Sequence, residues 1–126
     1  MSDYSPPPPP PPIPPSGPGR LVFEDGAVVP LDRDLVLGRE PQGAPEVLAG
    51  QAASLAISDP GQSVSRVHAR ITLAGGAPQL VDAGSANGTF VVRPGQEAWE
   101  RIEGEGVLLT PGTSILVGYT ILRYEV

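Results

Sequence analysis

Val67-His68-Ala69-Arg70-Ile71-Thr72-Leu73 alternates strictly between apolar and polar side chains. A two-residue period of this kind belongs to a β-strand with one buried face. It lies within residues 62–74, the longest run of the chain without glycine or proline. Elsewhere 17 prolines and 16 glycines punctuate the 126 residues, leaving helices little room. Further short strands are predicted at residues 21–24, 27–31, 34–38, 55–57, 79–82, 89–93, 98–102, 107–109, 114–117 and 120–126. The turns between them have a mechanism. Glu24-Asp25-Gly26 and Ala74-Gly75-Gly76 suit turns that need positive φ, and Pro94-Gly95 and Pro111-Gly112 are turn pairs. Many short strands at this spacing predict an all-β sandwich of about eleven strands over residues 20–126. Residues 40–54 do not fit the meander; a single helical turn fits at 46–49 or 51–56, but the segment is read as a long loop.

The composition excludes much chemistry. Cysteine is absent, histidine occurs once, and all eight basic residues are arginine. No zinc site of the Cys/His type, no thiol catalysis, no disulfide framework and no lysine-dependent phosphate loop or Schiff base can be built. A net charge of −6 disfavours a nucleic-acid partner held by bulk phosphate attraction. No apolar run is long enough for membrane insertion, and no secretory leader pattern opens the chain. A cytoplasmic binding module without metal or cofactor is expected, rather than an enzyme.

Residues 1–19 form a separate region. Residues 6–15 hold nine prolines interrupted only by Ile13, a composition that samples polyproline II. It reads as a disordered proline-rich tail, serving as a linker or as a docking stretch for a polyproline-binding partner.

Three polar clusters fall at predicted strand ends: Gly38-Arg39, Ser63-Val64-Ser65-Arg66-Val67-His68, and Asp82-Ala83-Gly84-Ser85-Ala86-Asn87-Gly88-Thr89. Gathered at one end of a sandwich, they offer guanidinium, hydroxyl and amide groups, a set suited to phosphate. In this order and spacing, Gly38-Arg39, Ser65-Arg66-Val67-His68-Ala69 and Gly84-Ser85-Ala86-Asn87-Gly88-Thr89-Phe90 resemble the motifs of forkhead-associated (FHA) domains. The resemblance runs over nearly all of residues 21–126, and includes Leu108-Leu109-Thr110-Pro111-Gly112-Thr113-Ser114-Ile115-Leu116-Val117-Gly118.

The resemblance implies an eleven-stranded sandwich that binds phosphothreonine peptides through loops at one end. It implies that Arg39 and Ser65 contact the phosphate, that Arg66 is a second cation, and that Asn87 holds the peptide backbone. Gly38 and His68 become structural, with His68 tying the loops together; Gly88 permits close approach. Two departures stand out. Ala86 occupies a position usually held by Thr or Ser, so one hydroxyl is missing and Ser85 is expected to compensate in part. The 40–54 segment is longer than usual and is expected to alter the approach to the peptide.

Each site has a plainer reading. Arg39 could pair with Glu40 or Asp59, Ser65 could cap a turn, and Asn87-Gly88 could be a hairpin turn. His68 is assigned to the polar face of its strand. A Ser65/His68/Asp82 triad is conceivable, but no Gly-x-Ser-x-Gly elbow accompanies it. Trp99 is expected to pack with Ile102, and Glu97, Glu100, Glu103 and Glu105 to form a solvated edge. The expected partner is a threonine-phosphorylated protein or a Ser/Thr kinase. The alternatives are a phosphate-independent scaffold and docking mainly through the polyproline tail.

Overall fold

The computed structural model describes residues 19–58, 61–73, 77–103 and 106–126. Residues 1–18 of the proline-rich tail, the Ala74-Gly75-Gly76 turn, Asp59 and Glu105 lie outside the described residues. Among the described residues eleven short strands run in chain order: β1 (Arg20–Phe23), β2 (Val28–Pro30), β3 (Leu35–Gly38), β4 (Ala53–Ala56), β5 (Ala69–Thr72), β6 (Gln79–Asp82), β7 (Thr89–Val92), β8 (Glu100–Arg101), β9 (Val107–Leu108), β10 (Ser114–Val117) and β11 (Thr120–Glu125). They form two sheets, ordered β2-β1-β11-β10-β7-β8 and β4-β3-β5-β6-β9.

Alternation along the strands places one face of each sheet in a shared core. From the first sheet come Leu21, Val91, Ile115, Val117 and Leu122; from the second come Leu37, Ala69, Ile71 and Leu80, all fully buried. Burying a Leu, Ile or Val side chain contributes about 1.5–3 kcal/mol. This cross-sheet layer therefore holds the two sheets in fixed relation, and with them the loops at their ends.

β3 breaks the alternation, since Leu35, Val36, Leu37 and Gly38 are all buried. The cause is the segment between β3 and β4, read from sequence as a long loop. It contains a 3-10 turn (Pro41–Gly43) and a one-turn helix, α1 (Pro45–Leu48). Ala44 and Ala52 from this segment cluster with Val36, and Val47 and Val67 pack alongside. Glu46 reaches Arg70 of β5 at 3.2 Å. The segment thus closes over the outer face of the second sheet at Val36. It also makes the crossover that lets β4 run parallel to β3, with Leu35 opposite Ala53 and Gly38 opposite Ala56. β4 accordingly starts two residues before the predicted 55.

Two further expectations are corrected. The regular strand begins at Ala69 rather than Val67, and His68 is fully buried instead of lying on a polar face. Ring hydrogen bonds to two loops hold His68 inward, as described below. Trp99 is 40% exposed, while Ile102 alone enters the core.

Candidate functional site

β3, β5, β6 and β7 bring their three connecting motifs together at one end of the sandwich. Gly38 and Arg39 come first. The Arg39 N–H donates to the Ser65 carbonyl (3.0 Å) and the Glu40 N–H to the Arg66 carbonyl (3.1 Å), while the His68 N–H donates back to Leu37 (2.8 Å). The two backbones lie so close that a Cβ on Gly38 would collide with the Arg66 carbonyl oxygen, and would stand 2.7 Å from its carbon. Glycine is required here by space.

His68 links the second motif to the third. Its Nδ1 accepts the Ser65 N–H at 3.0 Å, and its Nε2 sits 2.8 Å from the Gly88 carbonyl. An N–H donor on one nitrogen and a carbonyl acceptor on the other define the neutral ring with its proton on Nε2. Both nitrogens are thereby committed to backbone groups, and a Ser65/His68/Asp82 relay is not formed. Two side-chain bonds complete the link: Ala86 N–H to Ser65 Oγ (3.1 Å) and Asn87 Nδ2 to the Ser63 carbonyl (3.0 Å). The Ser65 hydroxyl proton and the Asn87 side-chain oxygen have no partner among the described residues.

Asp82, in sequence the first residue of the third cluster, organises that motif. Its Oδ2 accepts the N–H groups of Gly84 and Ser85 at 3.0 Å each. Its Oδ1 accepts the hydroxyls of Ser85 and Thr89. Burial raises the carboxyl pKa, but the four donors together outweigh it and hold Asp82 below the ordinary 3.8. The Asp82-Ala83-Gly84 order, with Gly84 at φ +81, is an Asx-turn pattern that could have revealed this role.

Ser85 is corrected by the same network. It is 7% exposed, its hydroxyl donates to Asp82, and it accepts the Gly88 N–H at 3.0 Å. It braces the loop from within and is not available to replace the hydroxyl missing at Ala86. Gly88, at φ +85, completes the turn.

The cations divide clearly. Arg66 lies 3.9 Å from Glu40 with both side chains largely exposed, an arrangement of small energetic consequence. Arg39 forms no ion pair with any described residue, and its buried Nε has no hydrogen-bond partner. The pairing with Glu40 considered from sequence is absent, since Glu40 faces Arg66 instead.

A fourth loop borders the site. A Cβ on Gly118, between β10 and β11, would stand 2.6 Å from Val64 Cγ2 and 2.7 Å from Ser63 Oγ. The adjoining Tyr119 is 87% exposed. No group of three or more potential metal-ligating side chains occurs among the described residues, and Glu100 of the acidic stretch pairs with Arg93 at 3.3 Å.

The all-β sandwich thus locks a Gly-Arg turn, a Ser-x-x-His loop and an Asn-Gly turn together at one pole. Residues 35–118 match the FHA domain family model, and the chain belongs to that family. Among solved structures, it is similar to the FHA domain of an Arabidopsis thaliana hypothetical protein, with 26% identity, a TM-score of 0.65 and 86% coverage of each chain. It is also similar to the FHA domain of the CT664 protein of Chlamydia trachomatis, with 25% identity, a TM-score of 0.60, and coverage of 85% of this chain and 95% of that one. A third similar structure comes from work on phosphothreonine-dependent FHA domain interactions; identity is 26%, the TM-score 0.58, and coverage 85% and 94%. No curated protein matches the chain. No described helix is long and apolar enough to cross a membrane.

Proposed function

We propose that this domain recruits threonine-phosphorylated proteins, with Arg39 and Ser65 receiving the phosphate and Asn87 holding the peptide backbone. The observation that carries the reading is the state of Arg39. Among the described residues it has no acidic partner, whereas Arg20, Arg33, Arg66, Arg70, Arg93 and Arg123 each lie within 4 Å of a carboxylate. A cation with no described counter-charge, on a backbone bonded to that of Ser65 with its free hydroxyl proton, suits an arriving anion. Arg66, exposed and loosely engaged by Glu40, can swing to assist. The reading extends to signalling by Ser/Thr kinases and to a cytoplasmic setting, where such kinases and their substrates meet.

Preference for phosphothreonine over phosphoserine rests on one methyl group, about 0.8 kcal/mol when buried. Hydrogen bonds to a charged phosphate contribute about 1.5–3 kcal/mol each. Arg39→Ala is therefore expected to weaken binding about ten- to a thousandfold, at about 1.4 kcal/mol per decade. Calorimetric titration of matched threonine, phosphoserine and phosphothreonine peptides tests this. Equal affinity for all three, or an Arg39→Ala protein that binds as tightly as the parent, refutes it.

A further inference from the structure

Arg101 is the other arginine whose side chain makes no ion pair or hydrogen bond among the described residues. Nothing in the sequence motifs marks it, since it sits on β8, outside all three. The sheet nevertheless brings it to the site. Phe90 of β7 pairs with Arg101, and the Ile102 N–H donates to the Thr89 carbonyl at 2.9 Å, fixing β8 beside the residues that follow Asn87-Gly88.

The side chain then folds back over the loop. A Cβ on Gly88 would stand 2.9 Å from Arg101 Nε and 3.1 Å from Cζ. Gly88 thus has a second reason to be glycine beyond its positive φ: it leaves room for this guanidinium. The nearest acid on the strand, Glu100, is held by Arg93 at 3.3 Å. Arg101 is exposed and lies over Gly88, the residue that follows Asn87, which is proposed to grip the peptide backbone. In a chain of net charge −6, a cation there with no counter-charge among the described residues is a local attraction for an anion.

We propose that Arg101 is a specificity-determining residue that selects peptides carrying an acidic side chain close to the phosphothreonine. The inference rests on the phosphopeptide reading above. Arg101 offers its N–H groups to a carboxylate on a residue flanking the phosphothreonine, leaving the phosphate to Arg39 and Ser65. The contact is exposed, so it acts as a filter among phosphopeptides and contributes little to their common affinity.

The test uses the full chain and a phosphothreonine peptide with alanine at every flanking position. Single aspartates are then placed in turn from four residues before the phosphothreonine to four after it. The parent protein should show one or two adjacent positions where aspartate tightens binding about two- to fivefold, as an exposed ion pair provides. The gain should shrink as salt is raised. Arg101→Gln should lose that gain yet bind the all-alanine phosphopeptide with parental affinity, and Arg101→Glu should favour arginine at the same position. The proposal is overturned if aspartate gives no gain at any position, or if the gain survives in Arg101→Gln. It is also overturned if Arg101→Gln weakens the all-alanine phosphopeptide equally, which would put Arg101 on the phosphate. A parent protein that ignores phosphorylation altogether refutes the phosphopeptide reading itself, and this inference with it.

Discussion

Replacing His68 with alanine tests how the binding loops are held. The ring is fully buried and satisfies two backbone groups, the Ser65 N–H at Nδ1 and the Gly88 carbonyl at Nε2. Its removal orphans both, at about 1–3 kcal/mol each, and the lost ring leaves a void that adds to the cost. The expected destabilisation is thus about 2–6 kcal/mol before the void is counted, against a total of about 5–15 kcal/mol for a typical domain. Urea unfolding followed by far-UV circular dichroism at neutral pH measures it. His68→Gln, which retains one donor and one acceptor on a flexible arm, should recover part of the loss. Phosphopeptide affinity should fall in both variants under conditions where they remain folded, because Ser65 and Asn87 no longer share a common anchor. A His68→Ala protein within about 1 kcal/mol of the parent, with unchanged peptide affinity, refutes the reasoning; so small a change is ordinary for a surface site.

Gly38→Ala should lower the melting temperature by several degrees and weaken peptide binding, because its methyl must displace the Arg66 carbonyl and pull the Arg39 N–H from Ser65; thermal melts with a parallel titration check both. Asp82→Asn should cost about 1–3 kcal/mol at neutral pH, since an amide nitrogen cannot accept from the donors that one carboxylate oxygen now serves. The folded-state pKa of Asp82 is depressed below 3.8, so its contribution is complete above that value and fades as pH falls through the lower one. Melts collected against pH should show a shallower acid loss in Asp82→Asn than in the parent. Ala86→Ser adds a hydroxyl where the chain lacks one, and titration should find phosphopeptide affinity raised about ten- to a hundredfold, one charge-assisted hydrogen bond.

Much of this was legible because the signals were local. Two-residue alternation and glycine-proline punctuation bounded the strands, and the motif residues sat at their ends. What escaped was decided by contacts distant in sequence. Ser85 and Ser65 look alike in a string of letters, yet one hydroxyl faces Asp82 within its own turn and the other faces the surface. His68 alternates as a polar position, but bonds to Gly88, twenty residues on, draw it inside. Residues 40–54 carry glycines and prolines like any loop; only the buried outer face of Val36 shows why so many small apolar side chains occur there. Arg101 reads as one charge in an acidic stretch until β8 is paired with β7.

The pairing of β1 with β11 has a mechanical consequence. Arg20 faces Glu125 and Phe23 faces Leu122, so both ends of the described sandwich leave from one pole. The β10–β11 tip, beside Ser63 and Val64, marks the opposite pole, where the proposed ligand binds. A tension drawing Arg20 and Glu125 apart would therefore break the β1–β11 rungs one after another, as a zip opens, instead of loading them all together in shear. The domain should yield at low force when pulled by its ends, and β1 should peel away first, while the distant recognition loops are still intact.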